Sequence, residues 1–356
     1  MKNGSGIISL SLPFAAGVSA AALAGVPFAG AMACSTAAAA LLCFCCISRK
    51  RCTVALMMLY FCLGAVCWCS SALVPAPERT GSAGALADGL RNLLDRIPFS
   101  GEHSSGIIKA LLTGRRSQLT QETVSAFRRS GASHILALSG LHLGVIYACI
   151  RKLLAPTGNS PAARGLRSFI TICLCGTYAM ATGASPSIVR AFLFICINEA
   201  GRAMSGRAHS PLGTFCLALT IQLTMRPGMI ASPGFQLSYL SMLGITVLFP
   251  RLEAWYPGKG RADPVRAIWK SVAMSLSCQA FTAPVAWYHF HSFPACFLLT
   301  NLIALPLSEL IIISALAAAV LEALTGCPQA LSEACGILVQ VLEFCLETIA
   351  SIPPPW

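Results

Sequence analysis

Charge is what this sequence has least of. Only 11% of its 356 residues are Asp, Glu, Lys or Arg, too few to clothe a soluble globule of that length, so a water-soluble fold is excluded. Acidic groups are the scarcer sign, with 13 Asp and Glu against 25 Lys and Arg. Strand-like alternation of apolar and polar residues is also missing, which excludes a membrane β-barrel. No cysteine cluster has a nearby His at metal-ligand spacing, and there is no HxHxDH-like cluster, no P-loop and no GxSxG elbow. These gaps argue against a metal centre, an on-board metallonuclease, nucleotide hydrolysis and a hydrolase triad. No catalytic residue, cofactor or metal is expected. No internal repeat is present, and "SIPPPW" only ends the last helix.

Apolar residues fill the space that charge leaves. They make up 56% of the chain, and the mean hydropathy is +0.71. Apolar stretches near 7–24, 26–47, 53–74, 132–150, 167–183, 186–200, 211–225, 233–250, 267–287, 294–323 and 334–350 predict an all-α polytopic membrane protein with about 10–11 transmembrane helices. The 294–323 run would measure about 45 Å as one straight helix. It holds Pro306 and Glu309, so a break or two segments is expected there. The first stretch, behind Lys2, reads as an uncleaved helix because further spans follow almost directly.

The basic residues orient the chain. With the N-terminus cytoplasmic, the inner loops hold Lys2, Arg49, Lys50, Arg51, Arg151, Lys152, Arg164, Arg167, Arg202, Arg207, Arg251, Lys259, Arg261, Arg266 and Lys270. The short outer loops hold only Arg226. This divides the chain into a three-helix segment 1–74, an extracytoplasmic amphipathic segment 75–131, and a transmembrane domain 132–356. The net charge of +12 reflects this sidedness. The 18 cysteines sit mostly within apolar stretches and read as small hydrophobic filler.

Within 75–131, "GALADGLRNLLDRI" sets Leu86, Leu90, Leu93, Leu94 and Ile97 on one helical face, an amphipathic helix for the membrane surface or the bundle. "LTQETVSAFRRSGAS" follows with Thr120 as N-cap, Glu122 in the first turn, Arg128 and Arg129 in the last, and Gly131 as stop, the charges that suit each end of a helix dipole.

Polar groups recur at membrane depth. "GASHILALSGLHLGVIYACI" reads as one span, with Ser133, Ala137, Gly140 and Gly144 on a small-residue stripe for close helix approach and Ser139 and His142 on the opposite side. His134 falls at its outer end. Ser185 and Pro186 start a helix after a turn at Gly183, placing Arg190 about 7 Å below that start. There the guanidinium either snorkels outward or faces a wet cavity that attracts anions. Gln236, Ser238, Ser241 and Asn301 complete four polar-bearing spans, a pattern compatible with helix-to-helix bonding or a hydrated central path. In "WYHFHSF", His289 and His291 beside Trp287 and Tyr288 read as an interfacial aromatic belt.

Taken in order, "FRRSGASHILALSGLHLGVIY", "ASPSIVRAFLF", "RPGMIASPGFQLSYLSMLGI" and "QAFTAPVAWYHF...LLTNLIALPL" resemble the successive motifs of the ComEC/Rec2-type competence domain. The match runs from about residue 100 to 325, and the opening "LPFAAGVSAAALAG" is similar to that family's first span. The resemblance implies a bacterial inner-membrane channel that admits single-stranded DNA during natural transformation. It also implies partners: a separate DNA receptor, a nuclease and a cytoplasmic motor ATPase; membrane lipids surround such a chain, and whether one copy or a homo-oligomer forms the pore stays open. Ser139, His142, Arg190, Gln236, Ser238 and Asn301 occupy motif positions. With His134 and Ser185 they are expected to line the DNA path. Arg115 and Arg116, in "LLTGRRS" where the family tends to have an acidic residue after the glycine, are expected with Arg128 and Arg129 to contact phosphate on the outer face; Arg115 and Arg116 would also suit anionic lipid. Fuller members carry an OB-like domain after the third span and a metallo-β-lactamase-like domain after the last. Residues 74–84 are too few for the first and Trp356 precedes the second, so those functions are expected from other proteins. Two alternatives stay open: an intramembrane hydrolase or transferase using Ser139 and His142, and a truncated, non-conducting remnant.

Overall fold

The structure, a computed structural model, describes residues 2–47, 53–71, 81–99, 101–158, 160–206, 210–256, 258, 263–291 and 296–352. Of the residues used above, Arg49, Lys50, Arg51, Arg207, Lys259, Arg261, most of 74–84 and the closing prolines lie outside that set. Every regular element among the described residues is a helix, and the protein is an all-α polytopic membrane protein.

The chain opens with α1 (Lys2–Ala24), α2 (Phe28–Ile47) and α3 (Thr53–Ser71), each long and apolar enough to cross a membrane. Helices α1 and α3 cross closely because each offers a glycine to the other's backbone. A Cβ on Gly17 would overlap the Phe61 carbonyl, and one on Gly64 would overlap the carbonyl of Phe14. Lipid supplies no hydrophobic drive between helices, so such small-residue crossings hold them by packing.

Three amphipathic helices follow: α4 (Gly81–Arg96), α5 (Glu102–Thr113) and α6 (Gln121–Arg129). Thr120 caps α6 by accepting from the Thr123 amide, as its spacing predicts. Leu94 and Ile97 are buried, with Leu90 and Leu93 packed beside them, whereas Leu86 is exposed, so the predicted stripe is one turn shorter. These helices lie against the bundle and share one core with the last two helices of the chain.

The stretch 132–150 corrects the sequence reading. It is two helices, α7 (Ser133–Leu136) and α8 (Gly140–Leu153), separated by Ala137 in an extended conformation. The cause is local: Ser139 and His142 form a capping box that starts a new helix.

The next helices begin alike. In α9 (Pro161–Ala181), α10 (Pro186–Ser205), α11 (Pro211–Met225) and α12 (Pro233–Val247), a serine N-cap precedes a proline at the first position. The serine oxygen satisfies an orphan amide, and proline has no amide to satisfy. After the short α13 (Phe249–Glu253), Asp263 plays the serine's part for α14 (Pro264–Phe290).

Helix α15 (Phe297–Leu324) corrects a second expectation, since it passes through Pro306 without a break. Proline inside a helix costs roughly 3 kcal/mol through one lost hydrogen bond and a clash. Here Ile311, Ile312, Ala315 and Ala318 are fully buried against α16 (Gln329–Ala350) and its neighbours, and that packing holds the rod together. α15 is the fourth helix that satisfies both length and apolarity for a membrane crossing. α9, α10, α14 and α16 have 21, 20, 27 and 22 residues, about 30 Å or more at 1.5 Å per residue. Helices α8, α10, α12, α14 and α15 touch in that cyclic order, α15 returning to α8. They form a closed ring.

Candidate functional site

The site begins at the α7–α8 break. Ser139 Oγ accepts from the Leu141 amide at 3.2 Å, and His142 Nδ1 accepts from the Ser139 amide at 3.3 Å. An accepting Nδ1 puts the proton of the neutral ring on Nε2. That atom is buried and has no partner among the described residues; the whole residue is 1% exposed. The Ser139 hydroxyl faces a backbone amide, and the imidazole faces the serine's own N–H. This arrangement is a cap, and it does not aim a base at the hydroxyl.

The small-residue stripe holds only in part. A Cβ on Gly140 would come within 2.7 Å of Arg190 Nη2 and 3.3 Å of Ala191 Cβ, whereas Gly144 meets nothing within 4 Å. Gly140 therefore lets α10 approach, and Gly144 serves no such contact. The break parts Ser133 and Ala137 from the two glycines of α8 and so ends the continuous 100° rotation the stripe assumed.

Ser185 Oγ accepts from the Ile188 amide and starts α10, after Gly183 and Ala184 turn the chain with positive φ. One turn on, Arg190 does not snorkel. It is 7% exposed, and its Nη1 donates to the carbonyl oxygen of Ser238 on α12. Its Nη2 stands against Gly140 on α8, and Cys278 on α14 lies within electrostatic reach. A side chain of α10 with neighbours on three other ring helices lies inside the ring. No carboxylate pairs with it among the described residues, and an uncompensated buried charge is costly.

The structure thus sets Arg190 against Gly140 and the Ser238 carbonyl, and pairs Ser139 with His142 in the cap that starts the same α8. It sets the other expected residues apart. Asn301 Nδ2 donates to Ser275 Oγ on α14 at 3.3 Å, while its Oδ1 is buried without a partner. Gln236 Nε2 donates to the Ile230 carbonyl at 2.9 Å, and its Oε1 lies 3.1 Å from His289 Nε2. His289 is thereby turned to α12, a correction to the aromatic belt; Trp287 and Tyr288 are exposed as expected. His134 is exposed, with Nδ1 3.2 Å from the Gly131 carbonyl. Arg115, Arg116, Arg128 and Arg129 are exposed. Arg116 Nε donates to the carbonyl of Leu136 at 3.3 Å, which ties the basic loop to the last residue of α7.

Two polar clusters escape sequence reasoning. Glu199 on α10 is fully buried. It accepts from the Tyr147 hydroxyl at 2.7 Å, the Ser168 hydroxyl at 2.8 Å and Arg151 Nη1 at 3.1 Å, with Arg202 Nη1 at 3.7 Å. It joins α8, α9 and α10. Gln222 on α11 donates to the Pro186 carbonyl at 3.2 Å and accepts from the Tyr239 hydroxyl at 2.8 Å, joining α10, α11 and α12. The available signal was a lone carboxylate in the apolar "FICINEAGR", since ionisable groups at that depth demand partners. Among the described residues no three of His, Cys, Asp and Glu gather as metal ligands.

Comparison with known proteins bears on this geometry. ComE operon protein 3 of Bacillus subtilis is 28% identical over 221 residues, 61% of this chain and 26% of its own length. Competence protein ComA of Neisseria gonorrhoeae is 29% identical over 208 residues, 56% of this chain and 28% of its own length. Recombination protein 2 of Haemophilus influenzae is 24% identical over 222 residues, 58% of this chain and 27% of its own length. The chain spans about a quarter to a third of the length of the curated relatives it matches. No solved structure matches it. Residues 111–356, which include the whole helix ring and the Arg190 cluster, match the family model described as Competence protein, and the chain belongs to that family.

Proposed function

We propose that this protein conducts single-stranded DNA across the bacterial inner membrane during natural transformation, with its N-terminus cytoplasmic and the strand passing inside the ring of α8, α10, α12, α14 and α15. One observation carries the reading: Arg190 is buried inside that ring with no carboxylate paired to it among the described residues. A strand bears one negative charge per nucleotide and is barred from lipid, so its route needs polar walls. One cation among neutral Ser, Asn and His groups suits transit, because a densely basic lumen would hold the polyanion and slow its release. On this reading residues 132–356 form the conduit, residues 1–74 buttress it through α11, and the exposed Arg115, Arg116, Arg128 and Arg129 receive phosphates beside the α7–α8 break. The protein performs no chemistry on the strand. Driving force, capture and strand degradation fall to a motor ATPase, a receptor and a nuclease.

The test is genetic. A deletion strain complemented with Arg190→Ala is expected to yield at least tenfold fewer transformants than one complemented with the unaltered chain, at equal membrane abundance. A deletion strain that takes up external DNA as well as its parent overturns the assignment.

A further inference from the structure

We propose that the arginines at the end of the bundle where α8 and α10 finish and α9 begins bind the phosphate of an anionic phospholipid, whose acyl chains run down the outer face of α9. The site stands whatever passes through the ring. Helix α9 is not one of the five ring helices; it packs on α8 and α10 and leaves Leu166 and Phe169 exposed.

Three helix ends bring the arginines together. Arg151 near the end of α8 and Arg202 near the end of α10 both reach Glu199, at 3.1 and 3.7 Å. Ser168 of α9 donates to the same carboxylate at 2.8 Å. Arg164 stands on the face of α9 that carries Ser168, one turn nearer the start, and its Cζ would lie 3.8 Å from a Cβ on Gly206, the C-cap of α10. Arg167 lies between that face and the outer one, in a row with Ile170 and the exposed Leu174.

Charge does not balance here. Arg151 and Arg202 share one carboxylate, two positive charges on one negative. Arg167 joins no ion pair among the described residues, and its Nε is buried there without a hydrogen-bond partner. The helix dipole does not account for Arg164 and Arg167, because the start of a helix disfavours cations, and the first turn of α9 holds no acidic residue to offset them.

What stands beside the cations points to the anion. Each of the three helix ends also exposes a large apolar side chain: Leu153 at 79% after Arg151, Leu166 and Phe169 on either side of Arg167, and Met204 at 87% after Arg202. A free phosphate or a nucleic-acid strand has nothing to set against these side chains. A phospholipid does, since its phosphodiester meets the guanidinium fork by paired donors while its acyl chains cover the apolar side chains alongside. A zwitterionic headgroup brings its own cation to the phosphate, so a headgroup with net negative charge is the one that fits.

Lipid retention tests the site. The full chain in mild detergent is offered equal amounts of phosphatidylglycerol and phosphatidylcholine with matched acyl chains, and the lipids that stay bound are read by native mass spectrometry. The unaltered chain is expected to retain phosphatidylglycerol in preference. Arg167→Gln is expected to cut that preference about fivefold, the worth of one basic side chain at an anionic surface. Arg167→Lys, which keeps the charge and loses the fork, is expected to fall between, and Arg164→Gln combined with Arg167→Gln to abolish the preference. A double variant that fails to fold is judged on the two Arg167 variants, which break no ion pair among the described residues. Equal retention of the two lipids by the unaltered chain, or an undiminished preference in every folded variant, overturns the site. A short oligothymidylate or inorganic phosphate, added at the concentration of the lipid, is expected to leave the bound phosphatidylglycerol in place; displacement by either refutes a lipid as the occupant.

Discussion

The hydroxyl of Tyr147 donates to Oε1 of Glu199 at 2.7 Å, joining α8 to α10 within the bundle. Glu199 has no solvent exposure, and its other oxygen accepts from Ser168 and Arg151. Removing one partner of a buried ion pair leaves charge without compensation, at roughly 3–5 kcal/mol. Glu199→Ala is therefore expected to lower thermal stability in detergent sharply, and Glu199→Gln, which keeps the hydroxyl contacts, to lower it less. Equal stability for Glu199→Ala and the unaltered chain would remove the cluster from the account of what fixes α8.

Ser139 separates the conduit from an enzyme. Its hydroxyl caps α8, and a lost cap costs about 1 kcal/mol. Ser139→Ala is expected to reduce transformation in a graded way, and Ser139→Asn, a capping residue with no nucleophile, to restore most of it. Complete loss of transformation in Ser139→Asn, with normal membrane abundance, would favour the hydrolase or transferase.

How much of this was legible beforehand follows from where each signal lies. Serine–proline pairs and Thr120 mark helix starts because a cap is a local bargain between neighbours, and the apolar stretches map onto the helices that replaced them. The break before α8 was hidden because "HILALSGLHLG" is apolar on both sides and the box closes with histidine where glutamate or glutamine is usual. Pro306 misled in the opposite direction, since distant packing on α16 decides whether α15 bends. For the site, the residue types at Ser139, His142 and Arg190 were visible, but the meeting of Arg190 with Gly140 and Ser238 depended on which helices neighbour α10. Glu199 and Gln222 needed partners up to 52 residues away in sequence, which no periodicity reports.

The α1–α3 crossing gives a packing test. Gly17→Val and Gly64→Val each drive a side chain into the opposite backbone, and overpacking costs about 1–3 kcal/mol. Both are expected to lower the unfolding midpoint in mild detergent. Gly89→Ala on α4, where a Cβ meets nothing within 4 Å, is expected to be neutral or slightly stabilising. A Gly17→Val chain as stable as Gly89→Ala would mean that the two helices do not meet this closely.

The start of α14 gives a pH test outside the membrane. Asp263 Oδ2 accepts from the Tyr256 hydroxyl at 2.5 Å, and Oδ1 accepts from the Val265 amide at 3.0 Å. The Tyr256 hydrogen bond first, and the backbone amides after it, hold the Asp263 carboxyl below its ordinary range. A depressed value in the folded chain contributes stability above the unfolded value, about 3.9, and loses it as pH falls through the folded one. Tryptophan fluorescence, which reports on the neighbouring Trp255, is expected to change only below about pH 4, and Asp263→Asn is expected to abolish the step. A step of the same size in Asp263→Asn would assign it to another group.

The ring of five helices is closed by α15 meeting α8, two elements roughly 140 residues apart along the chain. Translation at about 5–20 residues per second leaves α8 waiting on the order of ten seconds before its last neighbour emerges. For that interval the faces of α8 and α14 that α15 covers stand without their partner. Assembly of this protein is thus paced by its own gene order, and any rearrangement that delays α15 lengthens the time the ring stands open.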